Sequence, residues 1–346
     1  MSRANRFLNI LKSNECDCAI VCDSANVRYL SGFTGSAGYL LISENERLLV
    51  TDSRYTQQAK LQAKNFEIRN SASFSLKDYG EKFDTVLFED ESVSYKQYLN
   101  ISNCFKNLKP IGKALLNMRS VKDEDEISLI RQAEKIGDEA FLYALSIIKE
   151  GMSEIELARQ IDFYMLTHGA EALSFDTIVA SGKRGSMPHA YPTENTLKKG
   201  DLVVMDFGCV YNGYCSDMTR TVAIGSIDEK AKDVYNTVLR AQKVAMEKIK
   251  AGVICADIHK AASDIIDENY KGLFGHGLGH GVGLEIHEEP TLSPRGDYPL
   301  LKNTVVSVEP GIYIPDFCGV RIEDLVLVTD EAYENLTSSS KELIII

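Results

Sequence analysis

The sequence lacks the features that mark a membrane, secreted or nucleic-acid-binding protein. No stretch approaches the ~20 apolar residues needed to span a bilayer, and the first residues lead into no apolar signal region. The net charge of −12 argues against clustered Lys and Arg that could bind phosphates. We therefore expect a soluble, cytoplasmic protein with no membrane partner and no nucleic-acid partner.

A disulfide framework and a thiolate zinc site are not indicated either. The eight cysteines include no Cys-x-x-Cys pair, and Cys16 and Cys18 are too close together for a zinc knuckle. Four others stand singly in apolar or strand-like segments: Cys209, Cys215, Cys255 and Cys318. This scatter favours buried free thiols in a reducing compartment.

What the chain does have is the length and composition of a two-domain globular protein. It contains 346 residues, of which 44% are hydrophobic and 25% are charged. The first 110 or so residues alternate helix and strand patterns, which predicts an α/β unit. A long helical pattern over Glu124–Lys149 then opens a region richer in strands. We predict two domains, over residues 1–118 and 119–346.

Two aspartates lie in a predicted β-hairpin of the second domain. Asp206 lies in an apolar strand, and Asp217 lies on the return strand after the turn Asn212–Gly213. With these turn residues, Asp217 falls opposite Gly208 and becomes a diagonal neighbour of Asp206, roughly 7–8 Å away at the backbone. We expect Gly208 to leave open space between the carboxylates. The pair could hold a hard cation, or it could be one buried acid satisfied by backbone amides beside one exposed acid.

Two further acids lie within apolar strands nearer the C-terminus. Glu309 ends a strand predicted over Val305–Glu309. Glu323 lies in a strand predicted over Val320–Val328, where side-chain alternation places it on one face with Arg321. A carboxylate in an apolar strand is costly unless it is paired or bound to metal. Four such acids are therefore hard to explain as structural coincidence.

A glycine-rich segment over 275–283 supplies candidate imidazoles. His276 and His280 stand four residues apart, but alternating glycines disfavour a helix, and the Glu of a His-Glu-x-x-His zinc motif is missing. The segment also fails the strict Gly-x-Gly-x-x-Gly pattern of a dinucleotide site. Close approach of the backbone to a crowded site explains the glycines better. We expect one or two histidines to contribute there, with His287 nearby.

One imidazole and four carboxylates make an oxygen-rich ligand set. Such a set suits two ions of Mn, Co, Zn or Fe better than a thiolate zinc site does. Two ions held together can activate water and clamp the attacking and leaving oxygens of a hydrolysis. The pattern therefore predicts a hydrolase with a dinuclear metal centre.

The sequence resembles the M24B-type metallopeptidases of the creatinase/aminopeptidase fold, or pita-bread fold, over nearly its whole length. The motifs are the aspartates eleven residues apart, His-Gly-Leu-Gly-His-Gly-Val-Gly, and Val-Glu-Pro-Gly and Arg-Ile-Glu-Asp around Glu309 and Glu323. The N-terminal part resembles the creatinase-type domain at Ser31–Gly38 and Thr51–Tyr55. The resemblance implies an α+β pita-bread catalytic domain preceded by a smaller α/β domain.

Matched position by position, the resemblance also implies residue roles. The implied metal ligands are Asp206, Asp217, His280, Glu309 and Glu323. Asp217 and Glu323 would bridge two divalent ions, with Mn²⁺ expected and Co²⁺ or Zn²⁺ as alternatives. Glu309 would also carry a proton to the leaving amine. His189, in Met187–Ala190, and His287 would hold the substrate and stabilise the tetrahedral intermediate. Arg321 would pair with a nearby carboxylate, and His276 is not expected to be a ligand.

The proline-specific branch of that family gives the predicted activity. We predict an Xaa-Pro aminopeptidase acting on short proline-containing peptides, because the N-terminal pattern is closer to aminopeptidase P-like enzymes. The alternative is an Xaa-Pro dipeptidase (prolidase) acting on dipeptides only. A non-catalytic peptide-binding relative is a further alternative, but such relatives typically lose ligands. Creatinase shares both domains but has lost the metal ligands, which are all present here. Methionine aminopeptidase normally lacks the N-terminal domain. The resemblance also implies a homodimer.

Overall fold

The N-terminal unit, which ends at Arg119, is built on one six-stranded sheet. The structure is a computed structural model that describes residues 3–346. The strands of this unit are β1 (Cys18–Val21), β2 (Tyr39–Ser43), β3 (Arg47–Thr51), β4 (Glu67–Asn70), β5 (Thr85–Phe88) and β6 (Asn107–Pro110). The helices are α1 (Arg3–Ser13), α2 (Ser24–Ser31), α3 (Thr56–Gln62), α4 (Leu76–Gly80), α5 (Tyr95–Ser102) and α6 (Ala114–Ser120). The strand order is β4-β3-β2-β1-β5-β6.

Pairing in this sheet is mixed. The β1–β2 and β2–β3 pairs are antiparallel, and the β1–β5, β3–β4 and β5–β6 pairs are parallel. Side chains from the strands, including Ile20, Leu41 and Val86, form a buried core with Tyr79 and Ile101. The predicted α/β character of this part of the chain is confirmed.

The C-terminal unit, which begins at Ser120, carries four long helices and four small sheets. The helices are α7 (Glu124–Ile147), α8 (Glu154–Thr167), α9 (Glu229–Met246) and α10 (Cys255–Tyr270), with a 3₁₀ turn at Gly182–Ser186. The first strands are β7 (Ala172–Leu173), β8 (Ile178–Ser181), β9 (Leu202–Phe207), β10 (Cys209–Tyr211), β11 (Tyr214–Cys215) and β12 (Met218–Ala223). The later strands are β13 (Gly279–Gly281), β14 (Glu288–Leu292), β15 (Val305–Val308), β16 (Gly311–Ile314), β17 (Cys318–Arg321), β18 (Asp324–Val328) and β19 (Tyr333–Asn335).

Each pair of helices packs on its own set of strands. Helices α7 and α8 bury side chains such as Phe141 and Ile161 against Met205 of β9. Helices α9 and α10 bury Val234 and Ile258 with residues of β15 and β18. The four sheets are β11-β10-β7, β12-β9-β8, β14-β13-β15-β18-β19 and β16-β17. The predicted boundary between residues 118 and 119 stays a prediction, which expression of the separate halves would test.

The sequence signals at helix starts correspond to caps in the structure. The predicted helix at Glu124 begins with a capping box, in which Asp123 and Glu126 satisfy each other's backbone N–H groups. Ser153 caps α8 by accepting from the N–H of Glu156. Within residues 3–346, no helix is both long and apolar enough to cross a membrane.

The predicted hairpin register is confirmed, but the space at Gly208 is not open. Tyr211 pairs with Tyr214 and Met218 pairs with Phe207, so Asp217 lies opposite Gly208. A Cβ added at Gly208 would lie 2.0 Å from the carbonyl oxygen of Ser216. The expectation of open space was wrong, because the backbone of the opposite strand fills it. Glycine is required here for close approach of two chains.

The single strand predicted over Val320–Val328 was also wrong. It divides into β17 and β18 at residues 322–323, because β17 pairs with β16 whereas β18 pairs with β15. The chain therefore passes from one sheet to another at Glu323. There the N–H of Glu323 donates to the carbonyl oxygen of Thr219 at 3.1 Å. Glu323 therefore lies between the two strands and is not part of the hydrogen-bonded pairing of either sheet.

All eight cysteines are free thiols, as predicted, and six of them are buried. Burial raises the pKa of several of these thiols, to about 12 for Cys209 and about 11 for Cys318. A thiol with so high a pKa is a poor nucleophile and a poor metal ligand near neutral pH. The candidate chemistry therefore lies with the carboxylates and imidazoles.

Candidate active site

The five predicted metal ligands lie around one centre in the C-terminal unit. Strand β9 carries Asp206, strand β13 carries His280, and Glu309 follows the last residue of β15. Asp217 and Glu323 lie at the breaks before β12 and between β17 and β18. Nε2 of His280 lies 3.3 Å from Oε1 of Glu309 and 3.5 Å from Oδ2 of Asp217. Oxygen or nitrogen atoms of Asp217, His280 and Glu323 converge there, although Asp217 and Glu323 are more than 100 residues apart in sequence.

Strand alternation explains why these side chains face the centre. In β9, Val203, Met205 and Phe207 pack into the core of α7 and α8. The period of two directs Asp206 to the other face. In β15, Val306 and Val308 belong to the core of α9 and α10, which leaves Ser307 on the side of the site.

Ser307 and the neighbouring glycines hold the imidazole of His280 in place. The Ser307 hydroxyl accepts from the N–H of His280 at 3.0 Å and donates to Oε1 of Glu309 at 3.2 Å. A Cβ at Gly279 would lie 2.0 Å from the Ser307 carbonyl oxygen, so close approach does explain this glycine. Nδ1 of His280 lies 3.1 Å from the carbonyl oxygen of Gly281, which can only accept. Nδ1 therefore carries a proton, and in the neutral ring the lone pair of Nε2 is available to a metal ion on the side of the carboxylates.

A second set of contacts joins Asp206 to Glu323. Arg321 donates from Nη2 to Oδ2 of Asp206 at 2.5 Å and from Nε to the Thr219 hydroxyl at 3.0 Å. The same hydroxyl donates to Oε2 of Glu323 at 2.7 Å. Tyr313 accepts from Nη1 of Arg321 at 2.9 Å. The guanidinium and one threonine hydroxyl thus fix the orientation of two carboxylates.

Burial among like charges opposes ionisation of three of the acids. Burial, and then the charge of Glu323, holds the pKa of Asp217 well above its ordinary value. Burial, and then the charges of Glu309 and Asp206, does the same to the pKa of Glu323. Burial also raises the pKa of Asp206, although Arg321 opposes the shift. A bound cation reverses this balance, because it favours the ionised carboxylates.

Glu309 is the exception in the cluster. Burial acts to raise its pKa, but hydrogen bonding and charge from His280, with smaller effects of His276 and Arg321, outweigh burial and lower it. For His280, burial acts to lower the pKa, and the hydrogen bond and charge of Glu309 raise it instead. Glu309 is therefore an ionised carboxylate that can accept a proton.

The residues fit a divalent metal. No hydrogen-bond donor among the described residues reaches Oδ1 of Asp206 or Oε1 of Glu323, and both oxygens are buried. A buried carboxylate oxygen without a donor is costly unless something else satisfies it. One ligand atom each from Asp217, His280 and Glu323 lie within 4.8 Å of one another. Carboxylate oxygens with one imidazole nitrogen are ligands for Mn, Fe, Co or Zn.

Of the two histidines predicted to hold the substrate, His287 lies beside a predicted metal ligand. The rings of His280 and His287 are 4.4 Å apart between centroids, edge to face. His189 is exposed after the 3₁₀ turn, and its charge is one of the smaller causes, behind burial, that lower the pKa of His276 and of His287. His276 lies 2.8 Å through Nδ1 from the Gly277 carbonyl oxygen and 2.9 Å through Nε2 from the Tyr313 hydroxyl. Both of its ring nitrogens have protein partners.

Comparison with known proteins decides the family. The model of metallopeptidase family M24 matches residues 128–330, and that of the creatinase/prolidase N-terminal domain matches residues 3–121. The chain belongs to metallopeptidase family M24. The predicted resemblance and the predicted fold class, a creatinase-type domain followed by a pita-bread catalytic domain, are confirmed.

Similar M24 proteins align over nearly their whole length. A Xaa-Pro dipeptidase of Pyrococcus furiosus is 36% identical over 99% of this chain and 99% of its own. The structure of a Xaa-Pro dipeptidase from Bacillus anthracis superposes with a TM-score of 0.95 at 39% identity, covering 99% of this chain and 100% of that one. The structure of an X-Pro aminopeptidase from Thermotoga maritima gives a TM-score of 0.92 at 39% identity, covering 100% of both.

Three residues of this M24 site escaped the sequence analysis. Thr219 lies two residues after Asp217, so the alternation of the strand could have placed it on the same face. Tyr313 gave no such signal, because its hydroxyl is the only polar side-chain group in the strand β16. Arg220 is 1% exposed and donates to Oδ1 of Asp324 at 2.7 Å and to the carbonyl oxygen of Glu323. Its role depends on a break between strands that the sequence does not show.

We expect Thr219→Val to weaken metal binding while the fold survives. The substitution keeps the shape of the side chain but removes the hydroxyl that orients Arg321 and Glu323. Partners of this kind contribute about 10- to 100-fold to metal affinity. Calorimetric titration of the metal-free protein with Mn²⁺ measures the change. Thr221→Val is the matched control, because among the described residues the Thr221 hydroxyl has hydrogen bonds to the backbone of Arg321 and none to a carboxylate. Equal losses in the two variants would contradict the role of Thr219.

Proposed function

We propose that this chain is a metal-dependent Xaa-Pro dipeptidase, which hydrolyses the bond before proline in dipeptides. The observation that carries the proposal is the cluster of Asp217, His280 and Glu323 beside the ionised Glu309. The names of the similar Pyrococcus furiosus and Bacillus anthracis proteins favour the dipeptidase over the aminopeptidase that the N-terminal pattern predicts. The Xaa-Pro aminopeptidase is the second candidate, since the Thermotoga maritima structure carries that name at the same identity.

The proposed metal ligands are those predicted from the sequence. Asp206, Asp217, His280, Glu309 and Glu323 would hold two divalent ions, with Mn²⁺ proposed and Co²⁺ or Zn²⁺ as alternatives. When bound, the ions would lower the pKa of a water molecule and polarise the scissile carbonyl. The homodimer and the cytoplasmic location stay predictions.

The chain's own residues supply the proton transfer and hold the substrate. Glu309 would take a proton from the attacking water and deliver it to the proline nitrogen as the bond breaks. Its lowered pKa supports the first half of this step, because the carboxylate is ready to accept. His287 and His189 would donate hydrogen bonds to the substrate and to the oxyanion that develops on its carbonyl. Arg321 would keep Asp206 in orientation.

The substrate preference follows from the chemistry of proline. A peptide bond to proline is a tertiary amide and has no N–H. If the site has no acceptor that needs a hydrogen bond from this nitrogen, proline can bind without leaving a buried acceptor of the enzyme unpaired. Direct protonation of the nitrogen by a carboxylic acid at position 309 is compatible with such a substrate.

Hydrolysis of Ala-Pro and Ala-Pro-Ala by metal-free protein reloaded with Mn²⁺ tests the proposal. We expect release of alanine from Ala-Pro and little release from Ala-Pro-Ala, with Ala-Ala as the control that lacks proline. Cleavage of the tripeptide at its Ala-Pro bond at a comparable rate would favour the aminopeptidase. Cleavage of neither proline peptide, with metal shown to be bound, would contradict both.

A further inference from the structure

The segment that carries His189 is held at both ends by one buried side chain. Residues 181–195, which we call the His189 loop, run from the end of β8 to the residue before the bridge at Thr196. Glu154, the first residue of α8, is 0% exposed. An acid so fully buried, outside the metal cluster, requires an explanation from its partners.

The two oxygens of Glu154 accept hydrogen bonds from both ends of the loop, and Oε1 accepts at 3.3 Å from Nδ2 of Asn195, the last residue of the loop. Oε1 accepts from the N–H and the hydroxyl of Ser181, both at 2.9 Å, at the start of the loop. Oε2 accepts from the N–H of Thr193 at 3.1 Å and from its hydroxyl at 2.9 Å, near the end. Burial acts to raise the pKa of Glu154, but these donors outweigh it and lower the pKa. The Glu154 carboxylate therefore links the start of the loop to its end.

Arg184 extends this hold into the middle of the loop. Its Nε donates to Oε2 of Glu154 at 2.9 Å, and its Nη2 donates to the carbonyl oxygen of Tyr191 at 2.6 Å. The side chain of Glu154 is fully buried and that of Arg184 is mostly buried, so breaking this ion pair is costly because it leaves a buried carboxylate without its charged partner. Tyr191 lies two residues after His189, so the backbone next to that histidine is fixed through Arg184 to Glu154.

The other side of the loop is fixed to the strand that carries Arg321. A Cβ at Gly319 would lie 1.8 Å from the carbonyl oxygen of Gly185, so the two backbones are in direct contact. Nη1 of Arg321 donates to the carbonyl oxygen of Pro188 at 3.3 Å. His189 follows Pro188 directly. The loop is therefore placed between Glu154 on one side and β17 on the other.

We propose that Glu154 is a positioning residue, which acts through the His189 loop to place the His189 imidazole for contact with the substrate. This inference rests on the proposed function, since it assigns Glu154 a share in recognition of Xaa-Pro peptides. Glu154 touches neither the metal ligands nor the predicted substrate. If Glu154 acts by placing His189, its effect on turnover depends on the presence of His189.

Hydrogen exchange tests the hold on the loop without any substrate. In Glu154→Gln the side-chain amide replaces one acceptor oxygen by an NH₂ group, which points two N–H donors at groups that are themselves donors, so hydrogen bonds that hold the loop are lost. We expect peptides covering 182–195 to exchange faster than in the wild type, with peptides of α9 unchanged. The matched control is Glu156→Gln, an exposed glutamate in the same turn of α8. Unchanged exchange in the His189 loop would overturn the proposal.

A double-mutant cycle then separates positioning from general damage. We expect Glu154→Gln to lower kcat/KM for Ala-Pro by up to about 100-fold, the cost of a misplacement of about 1 Å. Mn²⁺ affinity measured by calorimetry stays unchanged. In the His189→Ala background, we expect Glu154→Gln to change kcat/KM by no more than about twofold. The full loss in both backgrounds would show a purely structural role and overturn the proposal.

The two claims can fail separately. If the wild-type protein cleaved neither proline peptide, the proposed function would be wrong, and the exchange comparison would still decide whether Glu154 holds the loop. If the wild type cleaved Ala-Pro and Glu154→Gln cleaved it equally well, the proposed function would stand and the positioning role would be wrong.

Discussion

Glu309→Gln is expected to lower kcat for Ala-Pro by about 10²- to 10⁴-fold, the usual contribution of one acid–base residue. The substitution keeps the size of the side chain and the oxygen near His280, but it removes the group that can accept and return a proton. Glu309 is suited to this step because its pKa is lowered whereas those of Asp206, Asp217 and Glu323 are raised. Opposite pKa shifts among neighbouring carboxyl groups indicate different roles, here proton transfer for Glu309 and metal binding alone for the other three.

The measurement is kcat at saturating Mn²⁺, with bound metal counted in the same sample. Glu331→Gln, at an exposed position away from the cluster, is the control for loss of a negative charge. Circular dichroism shows whether the variant is folded. A variant that binds metal like the wild type and retains more than a tenth of its kcat would contradict the assigned role of Glu309.

Removal of metal is expected to destabilise the protein more strongly as the pH rises. In the metal-free fold the pKa values of Asp217 and Glu323 are raised, so the folded chain holds protons that the unfolded chain releases near pH 4. Stability then falls with rising pH from that point, because the folded state binds more protons. Burial raises the pKa of Glu134, beside Asp217, to about 8, but Glu134 is not a proposed ligand, so its effect on stability is common to the metal-free and the metal-loaded form. Bound cations favour the ionised form of Asp217 and Glu323, so these two groups do not lower the stability of the metal-loaded protein as the pH rises.

The difference in Tm between Mn²⁺-loaded and chelated protein measures this effect at each pH. One proton per pH unit corresponds to about 1.4 kcal/mol, and each kcal/mol moves Tm by about 2–4 °C in a domain of this size. We expect the difference to widen by at least about 3 °C per unit between pH 6 and pH 8. Titration with Mn²⁺ in two buffers of different ionisation enthalpy should also show proton release. A difference that is constant or narrows, without proton release, would contradict the ligand assignment.

The sequence was informative where chemistry is local. An acid within an apolar strand is visible without a structure, and Asp206, Glu309 and Glu323 were recognised in this way. The turn Asn212–Gly213 fixed the register that places Asp217 opposite Gly208. Alternating glycines correctly excluded a helix at His280, which lies in β13.

What escaped prediction depends on contacts between distant segments. The break at Glu323 exists because two neighbouring strands pair with different sheets, and no local pattern announces it. Open space at Gly208 was expected because the sequence cannot show which backbone lies against a glycine. Thr219, Arg220 and Glu154 act on partners from 27 to 120 residues away, and each looks like an ordinary polar residue in its own segment.

A crystal structure of the Mn²⁺-loaded protein, with anomalous scattering measured at the manganese edge, tests the proposed metal centre most directly. We expect two anomalous peaks within the cluster formed by Asp206, Asp217, His280, Glu309 and Glu323, with ligand atoms from all five. The result that would contradict the centre is a protein that cleaves Ala-Pro in the same buffer but shows no peak among these residues, or binds its metal elsewhere.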